Sequence, residues 1–240
     1  MKLIKLNAID STNEYIKLNK SFFSQNSLAV YSFNQINGKG QRGKKWISEP
    51  YKNTCISFYS RFDKPFEYTL LKINLCTALT VLEVLKSYDI PDLKIKWPND
   101  IMSGNKKIAG ILIETTLFKN KIIDLIVGIG LNVNQTDFDG IKEATSMKII
   151  KNKSFNLHMI SKQFIEKFSS FDGKISNLSK HKLIEKFCSH LFGIREKKKF
   201  AIGEKVVEGK ILGITDNYML NIEFDKQVKH FDNGQIKLIL

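Results

Sequence analysis

Arginine is nearly missing from this chain of 240 residues. Only Arg42, Arg61 and Arg195 occur among 38 basic residues, and the rest are lysine. Cysteine is equally scarce. Cys55, Cys76 and Cys188 lie far apart, are odd in number and show no C-x-x-C spacing, which argues against a disulfide framework or a cysteine-held metal. The four prolines leave no proline-rich linker. Long apolar runs are absent, because lysine, asparagine and glutamate interrupt each one; no segment reads as a membrane span. The start, MKLIKLNAIDS, carries Lys5 where an export signal would be apolar, so it reads as a first strand, and a cytoplasmic protein is expected.

What is present is apolar bulk and positive charge. Apolar residues make up 42% of the chain, enough for a large core. The net charge is +14. A basic chain raises a nucleic-acid hypothesis. However, the lysines are scattered along the whole sequence, and solvated surface explains them more simply. Against that background Arg42 stands out. It sits in a glycine-rich loop and offers a planar fork suited to phosphate or carboxylate.

Periodicity gives a coarse element map. Residues 3–6, 28–33, 54–59 and 93–97 read as strands, and Ser11 with Glu14 has capping-box spacing ahead of a helix. Residues 69–88 repeat apolar side chains at helical spacing and predict a long buried helix. Two β-rich runs, 108–116 and 122–133, flank the turn Lys119-Asn120-Lys121 and predict a hairpin. Residues 157–171 and 176–190 predict two more helices. Beyond Gly193 the texture changes to short alternating strands broken by glycine and Asp-Asn or Asn-Gly pairs. The expectation is an α/β (α+β) fold: a domain over 1–193 with a central mixed β-sheet covered by helices, then a small SH3-like β-barrel over 194–240.

Four stretches offer chemistry. GKGQRGKKW at 38–46 combines flexible backbone amides with cations, a natural nest for an anion. It lacks the serine or threonine of a P-loop and is followed by a poor helix opening. KWPND at 96–100 ends a strand with a cation, an amide and a carboxylate; Asp100 is a candidate magnesium ligand. KKIAGILIE at 106–114 places Gly110 inside a strand, which suggests that something approaches the backbone closely, and GIGLNVN at 128–134 alternates glycine and asparagine at a strand end, exposing backbone and amide groups to a ligand. Each alone also fits an ordinary loop, turn or bulge.

Together with Ser11-Thr12-Asn13 and Ala144-Thr145-Ser146-Met147, in this order and spacing, these stretches make the chain resemble the biotin–protein ligases over residues 10–147. That resemblance implies ATP-dependent joining of biotin to a lysine of biotin carboxyl carrier protein through biotinyl-5′-adenylate, with Mg²⁺ accompanying ATP. It implies that Ser11, Thr12, Asn13, Gln35, Gly38, Lys39, Gly40, Gln41, Trp46, Lys107 and Gly110 contact biotin. The nucleotide would meet Lys39, Arg42, Trp97, Asn99, Lys107 and Asn132, and the catalytic set would be Lys107, Lys96, Arg42 and Asp100. The family's loop is richer in arginine, of the form GRGRxGR; here Lys39, Gln41 and Lys44 stand at the three arginine positions. Ser11-Thr12-Asn13 lies so near the start that no N-terminal DNA-binding domain is expected, and with it no nucleic-acid partner. A homodimer is left open. The rivals are a lipoate or octanoate enzyme of the same fold, whose RRxxGGG and HD signatures are absent from this loop, and a basic nucleic-acid-binding module.

Overall fold

A computed structural model describes residues 1–66, 70–171, 175 and 179–239. Seven strands build the main sheet: β1 (Lys2–Leu6), β2 (Ser27–Ser32), β5 (Thr54–Phe66), β6 (Leu93–Lys96), β7 (Asp100–Ser103), β8 (Lys106–Phe118) and β9 (Lys121–Leu131). Their spatial order is β1-β2-β5-β9-β8-β7-β6. Only β1 and β2 run parallel; the other neighbours are antiparallel. The mixed sheet and the 119–121 turn agree with the expectation from sequence. Three strands were not foreseen. β7 turns 97–103 into a tight hairpin with β6, and β3 (Gly38–Lys39) pairs with β4 (Lys45–Trp46) at the root of the glycine loop.

The sheet has two differently covered faces. Helix α2 (Leu70–Lys86) lies in the main core with Leu71, Leu75, Leu79, Leu82 and Leu85 buried. Their i, i+3/i+4 spacing makes the apolar stripe that drives the helix onto the sheet. Helix α3 (Met147–Lys151) buries Met147, and α4 (Leu157–Ser169) packs beside α2. Phe168 of α4 stacks on Phe58 of β5 with centroids 4.1 Å apart. Helix α5 (Lys180–Ser189) covers α2 further along. The helix expected over 176–190 therefore begins at Lys180 in the described part; 176–178 lie outside the described residues, as do 67–69 at the ends of neighbouring elements.

Alternation along β5 separates the faces. Ile56 and Phe58 join the large core, whereas Ser57 and Tyr59 point to the opposite face. There α1 (Thr12–Asn19) buries Ile16 against Leu28, Val30, Tyr59 and Ile126. Ser11 caps α1, accepting a hydrogen bond from the Glu14 amide. Only half of the expected capping box forms, because the Glu14 carboxylate turns to Lys17 and Lys39 instead.

The C-terminal strands form a separate antiparallel sheet of five, ordered β13-β12-β11-β10-β14: β10 (Lys197–Ile202), β11 (Lys205–Ile214), β12 (Leu220–Phe224), β13 (Gln227–Phe231) and β14 (Lys237–Leu238). This strand set is consistent with an SH3-like barrel, but among the described residues no pairing closes β13 onto β14. Two hydrogen bonds hold this sheet against the KWPND turn: Trp97 Nε1 donates to the Tyr218 carbonyl at 2.9 Å, and the Tyr218 hydroxyl donates to the Pro98 carbonyl at 2.5 Å.

Candidate active site

A row of cross-strand partners forms the floor of the site. Reading across the sheet, Ser32 faces Cys55, Cys55 faces Gly130, Gly130 faces Gly110, Gly110 faces Asp100, and Asp100 faces Lys96. The neighbouring row holds Ser57, Gly128 and Leu112. The glycines of KKIAGILIE and GIGLNVN thus lie side by side, on the face that α1 covers only partly. Above them is a cleft of about 470 Å³, walled by α1, the glycine loop, the KWPND turn and the edge of the second sheet.

One end of the cleft is a buried polar pocket. The Thr12 amide donates to Gln35 Oε1 at 3.0 Å. Ser57 Oγ lies 2.6 Å from Thr12 Oγ1 and 2.5 Å from Asn13 Oδ1, and Asn13 Nδ2 donates to Glu114 Oε2 at 2.7 Å. These bonds fix the hydroxyl and amide orientations before any ligand arrives. A Cβ at Gly128 would collide with the Asn13 amide, so glycine there lets α1 sit close to the sheet.

The other end is cationic. Lys107 Nζ makes an ion pair with Asp100 Oδ1 at 2.6 Å and lies 5.3 Å above the Trp46 ring. Lys96 is largely enclosed beside them. Burial pushes its ammonium below the ordinary lysine value; Asp100 opposes that shift, and Lys107 adds to it. An anion entering here would reverse the strain on Lys96.

The close approach expected at Gly110 is made by protein. The Trp46 indole lies on Gly130 and Gly110; a Cβ at Gly110 would come within 3.0 Å of the ring and 3.2 Å of Lys107 Nζ, and one at Gly130 would overlap the ring. Trp46 Nε1 is buried with no well-aligned hydrogen-bond partner, and the Cys55 thiol is its polar neighbour. Burial also pushes the neighbouring Cys55 thiol up to about 12, so it stays neutral and acts as wall, not nucleophile.

The glycine loop is a short turn on the β3–β4 stem. Arg42 (φ 55°) and Gly43 (φ 74°) both occupy the left-handed region. Lys39 pairs with Glu14 at 3.1 Å. Arg42 donates to the Asn233 carbonyl, and Gln41 Oε1 accepts from Asn233 Nδ2 at 2.7 Å.

Most residues singled out from the sequence meet at this cleft: Ser11, Thr12, Asn13, Gln35, Lys39, Gly40, Gln41, Arg42, Trp46, Lys96, Trp97, Asn99, Asp100, Lys107 and Gly110 line it. Gly38 does not; it is buried in the stem, pressed against Gln35 and Trp46. Asn132 lies behind the wall, donating to the Thr145 carbonyl at 3.0 Å, with its Oδ1 unpartnered. Ser57 and the 233–238 edge were not foreseen. Strand alternation could have pointed to Ser57, since it is the polar residue between Ile56 and Phe58.

Magnesium has a limited foothold. Among the described residues no three His, Cys, Asp or Glu side chains cluster, and the Asp100 carboxylate is engaged by Lys107. This donor set fits a magnesium that arrives with a nucleotide and takes one carboxylate, not a metal held by the protein alone.

A cleft that joins a polar head pocket to a cationic end under a glycine lid is the arrangement of an acyl-adenylating ligase. Residues 6–132 match the model of the biotin/lipoate A/B protein ligase family, and the chain belongs to that family. The biotin protein ligase of Aquifex aeolicus, solved in complex with biotin and ATP, is 31% identical, superposes with a TM-score of 0.81, and the match covers 99% of this chain and 98% of that one. The bifunctional ligase/repressor BirA of Salmonella typhimurium is 27% identical over 97% of this chain and 73% of its own length. The biotin–[acetyl-CoA-carboxylase] ligase of Paracoccus denitrificans is 32% identical over 52% of this chain and 51% of its own.

Proposed function

We propose that this chain joins biotin to a lysine of biotin carboxyl carrier protein in two steps. First, the biotin carboxylate attacks the α-phosphorus of ATP, forming biotinyl-5′-adenylate and releasing pyrophosphate. Then the acceptor amine attacks the carbonyl of the mixed anhydride, and AMP leaves. The observation that carries this reading is the glycine row running from the Thr12–Asn13–Ser57 pocket to the Lys107–Asp100–Lys96 cluster. A ligand with a hydrogen-bonding head, an apolar arm and a carboxylate fits that sequence of surfaces.

In this reading Ser11, Thr12, Asn13, Ser57 and Gln35 hold the ureido head. Their mutual hydrogen bonds leave little to reorganise on binding. Trp46 and Gly110 flank the apolar arm. Lys107 stands where carboxylate and α-phosphate meet; it neutralises both and stabilises the charge that develops between them, a contribution worth about 100- to 1000-fold in rate. Lys96 takes the phosphate chain, and Asn99 and Trp97 border the nucleotide. Asp100 aims Lys107 and can share the magnesium of MgATP. The lid at 39–45 excludes water from the anhydride.

The test is transfer itself. A biotin carboxyl carrier domain incubated with the chain, biotin and MgATP is expected to gain one biotinyl group on a single lysine by mass spectrometry, and Lys107→Ala to abolish the gain. An acceptor left unmodified by the wild-type chain would sink the proposal.

A further inference from the structure

The lid does not close on the main sheet alone. Its tip meets the turn between β13 and β14, almost two hundred residues away in sequence. That turn is rigid in its own right: the Asp232 amide donates to Gln235 Oε1 at 2.7 Å, and the Gln235 amide donates to the Asp232 carbonyl at 3.1 Å. Phe231 and Ile236, buried on either side, anchor it in the core. With Gln235 closing the turn, the Asn233 side chain is left to reach outward, where it donates to Gln41 Oε1 at 2.7 Å. The Asn233 carbonyl accepts from Arg42, and Gly234 (φ 88°) lies against the Arg42 guanidinium, where any Cβ would collide with it.

Gln41, the one uncharged residue at the three arginine positions of the family's loop, and its neighbour Arg42 are the two loop residues that engage the turn. At its other end the loop is tied by the Lys39–Glu14 pair. The neutral glutamine supplies an acceptor to the Asn233 amide, whereas a cation at position 41 would bond only if Asn233 turned its Oδ1 toward it. Gln41 and Asn233 are therefore complementary.

We infer that the Asp232–Gln235 turn is the seat of the lid: Asn233 and Gly234 are positioning residues that hold 39–45 over the cleft, so retention of the acyl-adenylate depends on the second sheet. This rests on the reaction proposed above only for its consequence, not for the contact. When the seat is lost, water reaches the anhydride carbonyl and releases biotin and AMP.

Trypsin gives a readout free of activity, since Lys39, Arg42, Lys44 and Lys45 place cleavage sites throughout the lid. Asn233→Ala and Gln41→Ala are each expected to speed cutting within 39–45 about 3- to 10-fold, the factor one neutral hydrogen bond is worth, with cutting elsewhere unchanged. The double variant should cut no faster than either single one. Gln41 lies in the lid turn, outside the core, so its variant folds even if changes at the second sheet do not. With biotin and MgATP but no acceptor, both variants should release AMP faster than wild type. Wild-type cutting rates in both single variants, or multiplying effects in the double, overturn the seat. A wild type that makes no adenylate removes the proposed reaction and leaves the proteolysis test standing.

Discussion

Lys107 and Asp100 form an ion pair of 2.6 Å between neighbouring strands, and a one-residue bulge is what lets them meet. Asp100 pairs with Gly110 and Ile101 with Ala109, but Met102 pairs with Lys107, so Ile108 is extra in β8. Regular alternation would send Lys107 to the face opposite Gly110. The bulge returns it to the cleft face, beside Gly110 and over the Trp46 ring.

That pairing separates two roles for Asp100. Lys107→Ala should slow adenylate formation about 100- to 1000-fold. Asp100→Asn, which keeps the shape and removes the charge, should slow it about 10-fold by releasing Lys107. If Asp100 acts through Lys107, the double variant is no slower than Lys107→Ala in single-turnover assays. Multiplying losses would instead assign Asp100 a separate task, such as the magnesium of MgATP.

Gly130→Ala and Gly110→Ala should both act through Trp46. A methyl at 130 overlaps the indole, and one at 110 pushes on both the ring and Lys107. We expect Gly130→Ala to raise KM for biotin and change tryptophan fluorescence, with Gly110→Ala lowering kcat as well. Unchanged kinetics in both would show that the floor tolerates a side chain and that the ring has somewhere else to go.

We expect Lys96 to set the alkaline limb of the pH profile. Burial lowers its proton affinity, so it discharges at a lower pH than an ordinary lysine. ATP affinity should therefore fall as pH rises toward the lysine range, and Lys96→Arg, which stays charged, should remove that fall. Titrating KM for ATP against pH in both proteins checks this; parallel curves would take Lys96 out of phosphate binding.

Acid stability is governed elsewhere, on the α1 side of the sheet. Burial would raise the Asp124 carboxyl, but Lys20 at 2.6 Å, the Tyr59 hydroxyl at 2.7 Å and Arg61 outweigh it and hold it below its ordinary 3.8. A carboxyl lowered on folding stabilises the native state above its unfolded value, and the gain disappears as pH falls through the native one. Urea midpoints should therefore drop below about pH 4, and Asp124→Asn, less stable at pH 7, should flatten that drop. An equally steep decline in the variant would place the acid-sensitive group elsewhere.

Elements with long-range periodicity were legible from sequence: α2 from its leucine spacing, and the β8–β9 hairpin from its apolar runs about Lys119-Asn120-Lys121. The cleft was legible as motifs, because KWPND, KKIAG and GIGLN each place polar atoms or glycine at a strand end. What escaped depended on contacts between distant segments. The bulge at Ile108 leaves no mark in an apolar run. Ser57 acquires meaning only when α1 lands on it, and Asn233-Gly234 looks like any turn until the lid rests there. Gly110 was legible as a site of close approach, but the group that approaches it is Trp46, which also covers Gly130, while Asn13 sits on Gly128.

The most direct measurement is ATP–pyrophosphate exchange by the purified chain, run with biotin and, separately, with lipoate. Rapid biotin-dependent exchange is expected, with little from lipoate and loss of the biotin signal in Lys107→Ala. Exchange supported by lipoate alone, or by neither acid, would contradict the proposed reaction.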